Sequence, residues 1–246
     1  MADPQVLVEA IDLQKRFRTF HAVKGVSFHC YGGEVFGLLG PNGAGKTTTI
    51  RMLTTILRPT GGTARIAGHD VVQAPAQVRR VIGVLPENAG VYGRLTARDA
   101  IRYAGRLYGV APDVLEARIV EIAEALELTP HLDRLTDTFS KGMKQKVNVA
   151  RALIHNPPVV FLDEPTSGLD VISARSVRDF VLRFKQEGRC VIMSTHIMEE
   201  AEKLCDRVMI IAGGRVVAEG GLAELKAKTG LGLEEIFMQL VEQTVQ

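Results

Sequence analysis

The sequence contains little cysteine, no tryptophan and almost no net charge. Its three cysteines, Cys30, Cys190 and Cys205, are odd in number and show no C-x-x-C spacing. Secreted domains that depend on disulfides pair their cysteines, so we expect reduced thiols and a cytosolic compartment. The 30 basic and 28 acidic side chains leave a formal net charge of +2, which predicts no polybasic surface for nucleic acid.

Long apolar runs are also missing. No segment reaches the ~18 uninterrupted apolar residues that a membrane-spanning helix needs, and the best candidate, 147–162, is interrupted by polar residues and two prolines. The N-terminus lacks the basic-then-apolar order of a signal peptide. If the protein acts at a membrane, we therefore expect another chain to supply the spans.

Apolar periodicity divides the chain into an α/β core and a helical insertion. Val26, Phe28 and Cys30 alternate with polar residues, as in an antiparallel strand, and the apolar run 35–39 is typical of a strand buried on both faces. Between about 88 and 154 the apolar residues recur at helical spacing. Further short strands are predicted at 63–67, 81–85, 159–162, 191–193 and 208–211, and a hairpin at 213–214.

We predict a single domain over 1–246. Its α/β core with an antiparallel β subdomain comprises 1–87 and 155–220, the helical lobe 88–154, and a helical tail 221–246. The tail has an apolar stripe at i, i+3, i+4, i+7 and i+8, formed by Leu233, Ile236, Phe237, Leu240 and Val241. The stripe indicates a helix that covers the core, and a dimer or partner contact is the alternative.

A strand followed by G-x-x-x-x-G-K-T predicts a phosphate site. The loop is formed by Gly40, Pro41, Asn42, Gly43, Ala44, Gly45, Lys46 and Thr47, with Thr48 next to it. Its glycines allow backbone amides to converge on phosphates, and the helix that begins there adds the positive end of its dipole. Lys46 is placed to contact the β- and γ-phosphates, and the Thr47 hydroxyl to bind Mg²⁺. A glycine turn with a chance lysine is the alternative.

The acidic pair Asp163-Glu164 follows a buried apolar run and completes this prediction. Asp163 is expected to hold the Mg²⁺ shell, and Glu164 to act as the general base for the attacking water. Such a pair is commonly a solvated turn, but the phosphate loop upstream favours the functional interpretation.

The stretch 139–145, Phe-Ser-Lys-Gly-Met-Lys-Gln, resembles the signature motif of ATP-binding cassette (ABC) ATPases, with Lys141 where that family usually has glycine. The resemblance covers nearly the whole chain. It implies the ABC ATPase variant of the P-loop NTPase fold, ATP hydrolysis, and ATP and Mg²⁺ as cofactors. Ser140 and Gly142 resemble the signature residues that contact the γ-phosphate held by the opposite protomer.

Two further motifs extend the resemblance. The stretch 167–170, Ser-Gly-Leu-Asp, looks like the D-loop that crosses the dimer interface, and Asp170 is carried over with it. His196 looks like the switch histidine that contacts the γ-phosphate and, with Glu164 and Lys46, forms the expected catalytic set. A lone histidine after a strand is usually a polar surface residue, but its position and order favour the functional interpretation.

Two positions depart from the family pattern. Phe17 lies 29 residues before Lys46, where the family places an aromatic ring, more often tyrosine, that stacks on adenine. A core phenylalanine is the alternative, and Phe20 is a rival. Glu87 occupies the Q-loop, where most of the family has glutamine; as a hard oxygen ligand it is expected to bind Mg²⁺ and to make Mg²⁺ occupancy more dependent on pH.

Several stretches resemble the bacterial exporter branch of the family, including NatA-type sodium-export and multidrug-export subunits. They are 140–146, Glu87, 88–96, 195–202 and 233–237. The resemblance implies an ATP-bound homodimer on the cytoplasmic face of the membrane, a transmembrane permease subunit as partner, and no nucleic acid. Val91, Tyr92 and Leu95 are expected to form a groove for that partner, with packing inside the lobe as the alternative.

Rival functions remain open at this point. A soluble ABC protein acting on DNA or ribosomes predicts a fused second cassette, a long coiled-coil insertion or basic extensions, which this sequence does not contain. A subunit that regulates a membrane protein by ATP binding without pumping is a third reading. Sodium, drug and lipid are not distinguished as substrates, because specificity in exporters lies in the membrane chain.

Overall fold

The structure, a computed structural model, describes residues 5–245. In chain order its elements are β1 (Val6–Phe17), β2 (Phe20–Tyr31), β3 (Val35–Leu39), α1 (Lys46–Leu53), β4 (Gly61–Ile66), β5 (His69–Asp70), α2 (Pro75–Arg80), β6 (Ile82–Leu85), α3 (Ala97–Leu107), α4 (Pro112–Ala125), α5 (Lys141–Leu153), β7 (Val159–Asp163), α6 (Val171–Gln186), β8 (Cys190–Thr195), α7 (Met198–Leu204), β9 (Arg207–Ala212), β10 (Arg215–Gly221), α8 (Leu222–Thr229) and α9 (Leu233–Val245). Two short 3₁₀ turns, Thr129–His131 and Thr136–Thr138, lie between α4 and α5.

The larger sheet has six strands in the order β10-β9-β3-β8-β7-β6. Five of them run parallel and β10 pairs antiparallel with β9. Strands β3, β7 and β8 are buried throughout, as expected of parallel strands covered on both faces. In register, Leu39 lies opposite Thr195 and Asp163 opposite Ser194. The segments that follow these strands therefore meet at one edge of the sheet.

The smaller sheet is antiparallel, in the order β2-β1-β4-β5. It packs with α1 against one face of the larger sheet, where Phe28 of β2 stacks on Phe36 of β3 with ring centroids 5.2 Å apart. The β1–β2 hairpin is longer than the predicted runs 6–11 and 23–31. It extends to Phe17 and Phe20, whose backbones pair at its tip. This extension brings the two candidate adenine rings to the same place.

The lobe helices α3, α4 and α5 share a second apolar cluster with the other face of the larger sheet. Leu233 and Ile236 of α9 are buried in the same cluster, so that face of the tail helix covers the core. No helix in the described part of the chain is both long and apolar enough to cross a membrane.

Two boundaries differ from the sequence expectation. Helix α1 ends at Leu53 rather than near Leu57, and Thr55 then adopts a φ of 63° that breaks the helix. The lobe becomes helical at Ala97 rather than at 88, because Thr96 caps α3 by accepting a hydrogen bond from the Asp99 amide. The segment 88–96 is therefore a loop with no regular helix or strand.

Candidate functional site

The loop between β3 and α1 is shaped by its glycines. Gly43 and Gly45 have φ angles of 79° and 112°, in the left-handed region that favours glycine. A Cβ on Gly40 would collide with the Ile211 carbonyl, and one on Gly45 would lie 2.8 Å from the Ala22 carbonyl oxygen. A Cβ on Gly43 would meet no described atom within 4 Å. The loop therefore packs closely against the core on one side and is open at Gly43.

Lys46 lies inside this loop with only 6% of its surface exposed. Its Nζ donates to the Gly40 carbonyl at 2.7 Å and to the Pro41 carbonyl at 3.3 Å, and lies 3.8 Å from Glu164 Oε1. Burial lowers the pKa of Lys46, and the charge of Glu164 opposes that shift. A buried ammonium held by carbonyls and one carboxylate suits an additional anionic ligand.

The Thr47 hydroxyl and the Asp163 carboxylate meet beside this lysine. Thr47 Oγ1 donates to Asp163 Oδ1 at 3.2 Å, and the Ser194 hydroxyl donates to the same oxygen. The described residues contain no group of three or more His, Cys, Asp or Glu side chains arranged for a metal. Hydroxyl and carboxylate oxygens nevertheless fit Mg²⁺, which binds through one or two carboxylates plus phosphate oxygens and water.

Glu164 follows β7 in a left-handed conformation, with φ of 51°, which is costly for a residue with a side chain. Its amide donates to the Ser194 carbonyl at 3.1 Å and lies 3.2 Å from the Ser194 hydroxyl, so β8 holds this strained residue in place. Its Oε1 lies 2.9 Å from His196 Nδ1. The structure therefore brings Glu164, His196 and Lys46 together around one carboxylate.

An open cavity of about 390 Å³ lies over the loop. It is lined by the loop residues 41–48 and by Phe20, Ala22, Glu87 and Glu164. Glu87, which follows the carboxyl end of β6, therefore lies at the predicted phosphate site. Phe20 lines the cavity and is 62% exposed, whereas Phe17 is 42% exposed and lies outside the lining, with Lys15 Nζ 5.1 Å from its ring centroid.

The signature residues form a separate cluster that does not line this cavity. Ser140 caps α5 by accepting from the Met143 amide at 3.2 Å. Asp170 caps α6 through the Ser173 amide at 2.9 Å, and this bond, with the Ser173 hydroxyl, lowers the pKa of Asp170. A Cβ on Gly142 would collide with the Ser173 hydroxyl, so glycine is needed where α5 meets α6. Within one chain, Ser140, Gly142 and Asp170 lie apart from the phosphate loop.

Lys141 points to its own chain. Its Nζ lies against Gly168, in the stretch 167–170, close enough that a Cβ on that glycine would collide with it. The ammonium therefore covers the D-loop-like segment in this conformation.

Several supporting residues are missing from the sequence prediction. Ser194 holds both Asp163 and Glu164, and a polar residue inside an otherwise apolar buried strand was the available signal. Glu200 is buried and accepts from the Thr166 hydroxyl, behind the turn that follows Glu164. Gln145 Nε2 donates to the Pro165 carbonyl at 2.9 Å, which ties the helix after the signature to the same turn. No local pattern points to these last two contacts.

A model of the family described as ABC transporter matches residues 23–167, from β2 to the turn after β7. The chain belongs to this family. Its members are ATPases, so nucleotide binding and the ATPase assignment are confirmed.

Curated ABC relatives match almost the whole chain. NatA of Bacillus subtilis, an ABC transporter ATP-binding protein, is 41% identical over 238 residues, covering 94% of this chain and 97% of that protein. The daunorubicin/doxorubicin resistance ATP-binding protein DrrA of Streptomyces peucetius is 42% identical, covering 92% of this chain and 69% of that protein. The predicted likeness to NatA-type and drug-export ATP-binding subunits is therefore confirmed.

Solved ABC structures confirm the fold. The structure of an ATP-binding subunit of an ABC transporter superposes with a TM-score of 0.88 at 32% identity, covering 95% of this chain and 99% of that one. The ADP conformation of another ATP-binding cassette has a TM-score of 0.83 at 23% identity, covering 97% and 98%, and supports the fold alone. The α/β architecture with an antiparallel sheet and added helices is as predicted.

Proposed function

We propose that this ABC ATPase drives export through a separate transmembrane permease subunit by hydrolysing Mg-ATP between two copies of the chain. The observation that carries the proposal is the convergence of Lys46, Thr47, Asp163, Glu164 and His196 at one edge of the parallel sheet. Phosphoryl transfer needs positioning and charge stabilisation more than covalent chemistry, and this edge supplies both.

The loop Gly40–Thr48 would hold the triphosphate, with its amides and Lys46 on the phosphate oxygens. Thr47, Asp163 and Glu87 would hold Mg²⁺, which when bound would neutralise charge on the β- and γ-phosphates. Glu164 Oε1 would accept the proton of the attacking water, and His196, 2.9 Å from that oxygen, would orient the carboxylate and the γ-phosphate. Phe17 would stack on adenine.

Dimerisation would complete the site. Ser140 and Lys141 are exposed at the start of α5 and lie apart from the phosphate loop of their own chain. A two-fold dimer has the same patch on both partners, so each signature can face the other copy's loop and two composite sites form. ATP held between the copies would stabilise the closed dimer by mass action, and hydrolysis would release it.

The permease would dock at the seam between core and lobe on the cytoplasmic face of the membrane. Val91 and Leu95 pack against the lobe, which supports the alternative interpretation for these two, while Tyr92 is exposed. A cleft of about 390 Å³ lies next to the loop 88–96, with the exposed Tyr103, Leu107 and Tyr108 on one wall. Arg151 donates to the Gly90 carbonyl at 2.9 Å and links the cleft to α5. A short cytoplasmic helix of the permease fits this cleft.

The names of the relatives favour export over the rival functions. They include NatA and proteins of daunorubicin, doxorubicin and linearmycin resistance, and each of them is an ATP-binding protein. A sodium ion or an amphipathic drug is therefore the proposed cargo, selected by the permease. The DNA or ribosome alternative has no such observation in its favour.

Transport by the reconstituted complex tests this function. The chain is purified with the permease that accompanies it from the native membrane, placed in vesicles, and given ATP with labelled Na⁺ or a fluorescent drug. We expect ATP-driven flux that stops with Glu164→Gln. ATP hydrolysis without flux of any cargo would favour a regulatory subunit that does not pump.

A further inference from the structure

A smaller cavity, of about 220 Å³, lies at the opposite end of the larger sheet. Asn156 and Arg189 line it, and they come just before β7 and β8, at the amino ends of strands whose carboxyl ends carry the phosphate site. One wall is α4 of the lobe and the other is the C-terminal half of α6. The cavity is therefore separate from the nucleotide site and spans the seam between lobe and core.

Three arginines and two glutamates surround this seam pocket. Arg183 lies 3.6 Å from Glu121 and 3.2 Å from Glu187, and Arg189 lies 3.0 Å from Glu187. Glu187 is thus shared by both guanidinium groups, and Glu121 is paired with Arg183. The cluster as a whole has one positive charge in excess.

Arg118 differs from the other two arginines of the seam pocket in its partners. Its Nε donates to the Ile154 carbonyl at 2.8 Å and its Nη2 to the Leu153 carbonyl at 3.4 Å. Among residues 5–245, no carboxylate forms an ion pair with it. A guanidinium has five N–H donors in a planar fork that suits a carboxylate, and the two contacts to carbonyls leave part of that fork available.

The floor of the seam pocket is apolar. Leu153, Phe180 and Phe184 line it and also line a very small cavity directly beneath, inside the core. The Arg189 guanidinium stacks 4.4 Å from the centroid of Phe184. Burial lowers the pKa of Arg189, the charge of Glu187 opposes this, and the nearby Arg118 lowers it further. An added anion would relieve that crowding of like charges.

We propose that the seam pocket binds a small amphipathic monoanion, a carboxylate whose acid group meets Arg118 and whose short apolar tail rests on Leu153, Phe180 and Phe184. One negative charge balances the cluster, and the apolar floor disfavours a fully hydrated dianion such as inorganic phosphate. Because α4 belongs to the lobe and α6 to the core, the bound ligand would bridge them and restrict their relative movement.

Octanoate is a suitable probe, titrated into the full chain without nucleotide and followed by calorimetry and by the methyl NMR signals of Ile122 and Leu153. We expect saturable binding to one site with shifts at both methyl groups. Octanamide, with the same tail and no charge, should bind about tenfold or more weakly, because it loses the charge-assisted bonds. Equal binding of the two probes, or binding of inorganic phosphate in place of octanoate, would overturn the proposal.

Two variants locate the site by different routes. Arg118→Gln removes the charge and keeps a donor for the Ile154 carbonyl, while Ala125→Phe fills the pocket and keeps every charge. Each should weaken octanoate binding about tenfold or more. Arg98→Gln, in the same lobe but paired with Asp133 and Glu116, is the matched control and should bind as wild type. Circular dichroism and melting curves establish that each variant is folded, and wild-type affinity in either test variant contradicts the site.

Discussion

The edge of the larger sheet that carries the phosphate loop (the phosphate-loop edge) and the signature cluster differ in how their side chains are buried and bonded. At the edge, Lys46, Thr47, Asp163 and Glu164 are buried or half-buried and bond to one another within one chain. In the signature cluster, Ser140 is exposed and its hydroxyl is used only to cap a helix. The edge therefore assembles its charged and hydroxyl groups within one chain, whereas the signature cluster would contact a phosphate only if a second copy approached it. That difference is the physical argument for a second copy.

The substitution with the largest expected effect is Glu164→Gln, which tests the phosphate-loop edge. Losing a general base should lower turnover by about 10²- to 10⁴-fold while the loop still binds ATP, so ATP should accumulate in a stable dimer. Steady-state ATPase assays and size-exclusion chromatography with and without Mg-ATP measure both effects. Glu199→Gln, an exposed acid paired with Lys203, is the matched control. A wild-type rate in Glu164→Gln would show that this carboxylate is not the base.

The contact between the helical lobe and the core should weaken in acid because of His155. Its ring stacks on Tyr108 of the lobe at 3.6 Å, its Nε2 contacts the Ile82 carbonyl of the core at 2.9 Å, and burial lowers its pKa to about 4. The unfolded chain, with an ordinary pKa near 6.5, then binds the proton more readily. The contribution of the neutral His155 to the free energy of unfolding is therefore fully present above pH 6.5. The free energy of unfolding falls by up to about 3 kcal/mol as the pH drops to 4.

Urea denaturation at several pH values checks this effect. His155→Phe should lose most of the dependence between pH 6.5 and 4, while His131→Gln, in an exposed turn, should keep it. If His155→Phe has the same pH profile as wild type, His155 is not responsible for the acid sensitivity.

Loss of the aromatic contact to adenine should have the next largest effect, and it distinguishes the two phenylalanines at the tip of the β1–β2 hairpin. Stacking of a base on an aromatic ring contributes about 1–3 kcal/mol, so Phe17→Ala should weaken ATP binding by about tenfold. Phe20→Ala, its cross-strand neighbour, is the matched control and should weaken it less. Fluorescent ATP titration of the two variants compares them directly. A larger loss with Phe20→Ala would move the adenine contact to the ring that lines the cavity.

Ser140→Ala probes the signature side. Losing the cap should destabilise α5 by about 1 kcal/mol, leave ATP binding to the isolated chain unchanged, and reduce turnover, because the contact proposed for Ser140 is to the partner's phosphate. Thr96→Ala removes the equivalent cap of α3 in the same lobe and is the control for stability alone. Equal turnover in the two variants would assign Ser140 a purely structural role.

The smallest expected effect concerns Glu87. Glu87→Gln removes one negative charge from the oxygen ligands proposed for Mg²⁺, so the variant should need a higher Mg²⁺ concentration than wild type for half-maximal ATPase activity. Mg²⁺ titrations of ATPase activity at constant ATP and constant pH measure the difference. Superimposable curves would remove Glu87 from the metal site.

The phosphate loop is the part of the site that the sequence predicts best, because its conformation is local. Glycines at positive φ, a strand before them and a helix after them all lie within the 19 residues 35–53. The helices α6 and α7 are not among the elements that the apolar pattern predicts above. Val177, Phe180, Val181 and Phe184 do form a helical stripe in α6, so the sequence contains a local signal for this helix.

The sequence by itself determined the chemistry: a phosphate loop, an acidic pair, a signature stretch and the ABC family that contains them. Only the tertiary structure decided which of these groups touch. Strands β3, β7 and β8 are far apart in the chain. Their order in the sheet brings Ser194 into contact with Asp163 and His196 into contact with Glu164. The same packing separates Ser140 from the loop and creates the arginine-lined seam. Such contacts depend on long-range strand order and helix packing, which no short window of sequence contains.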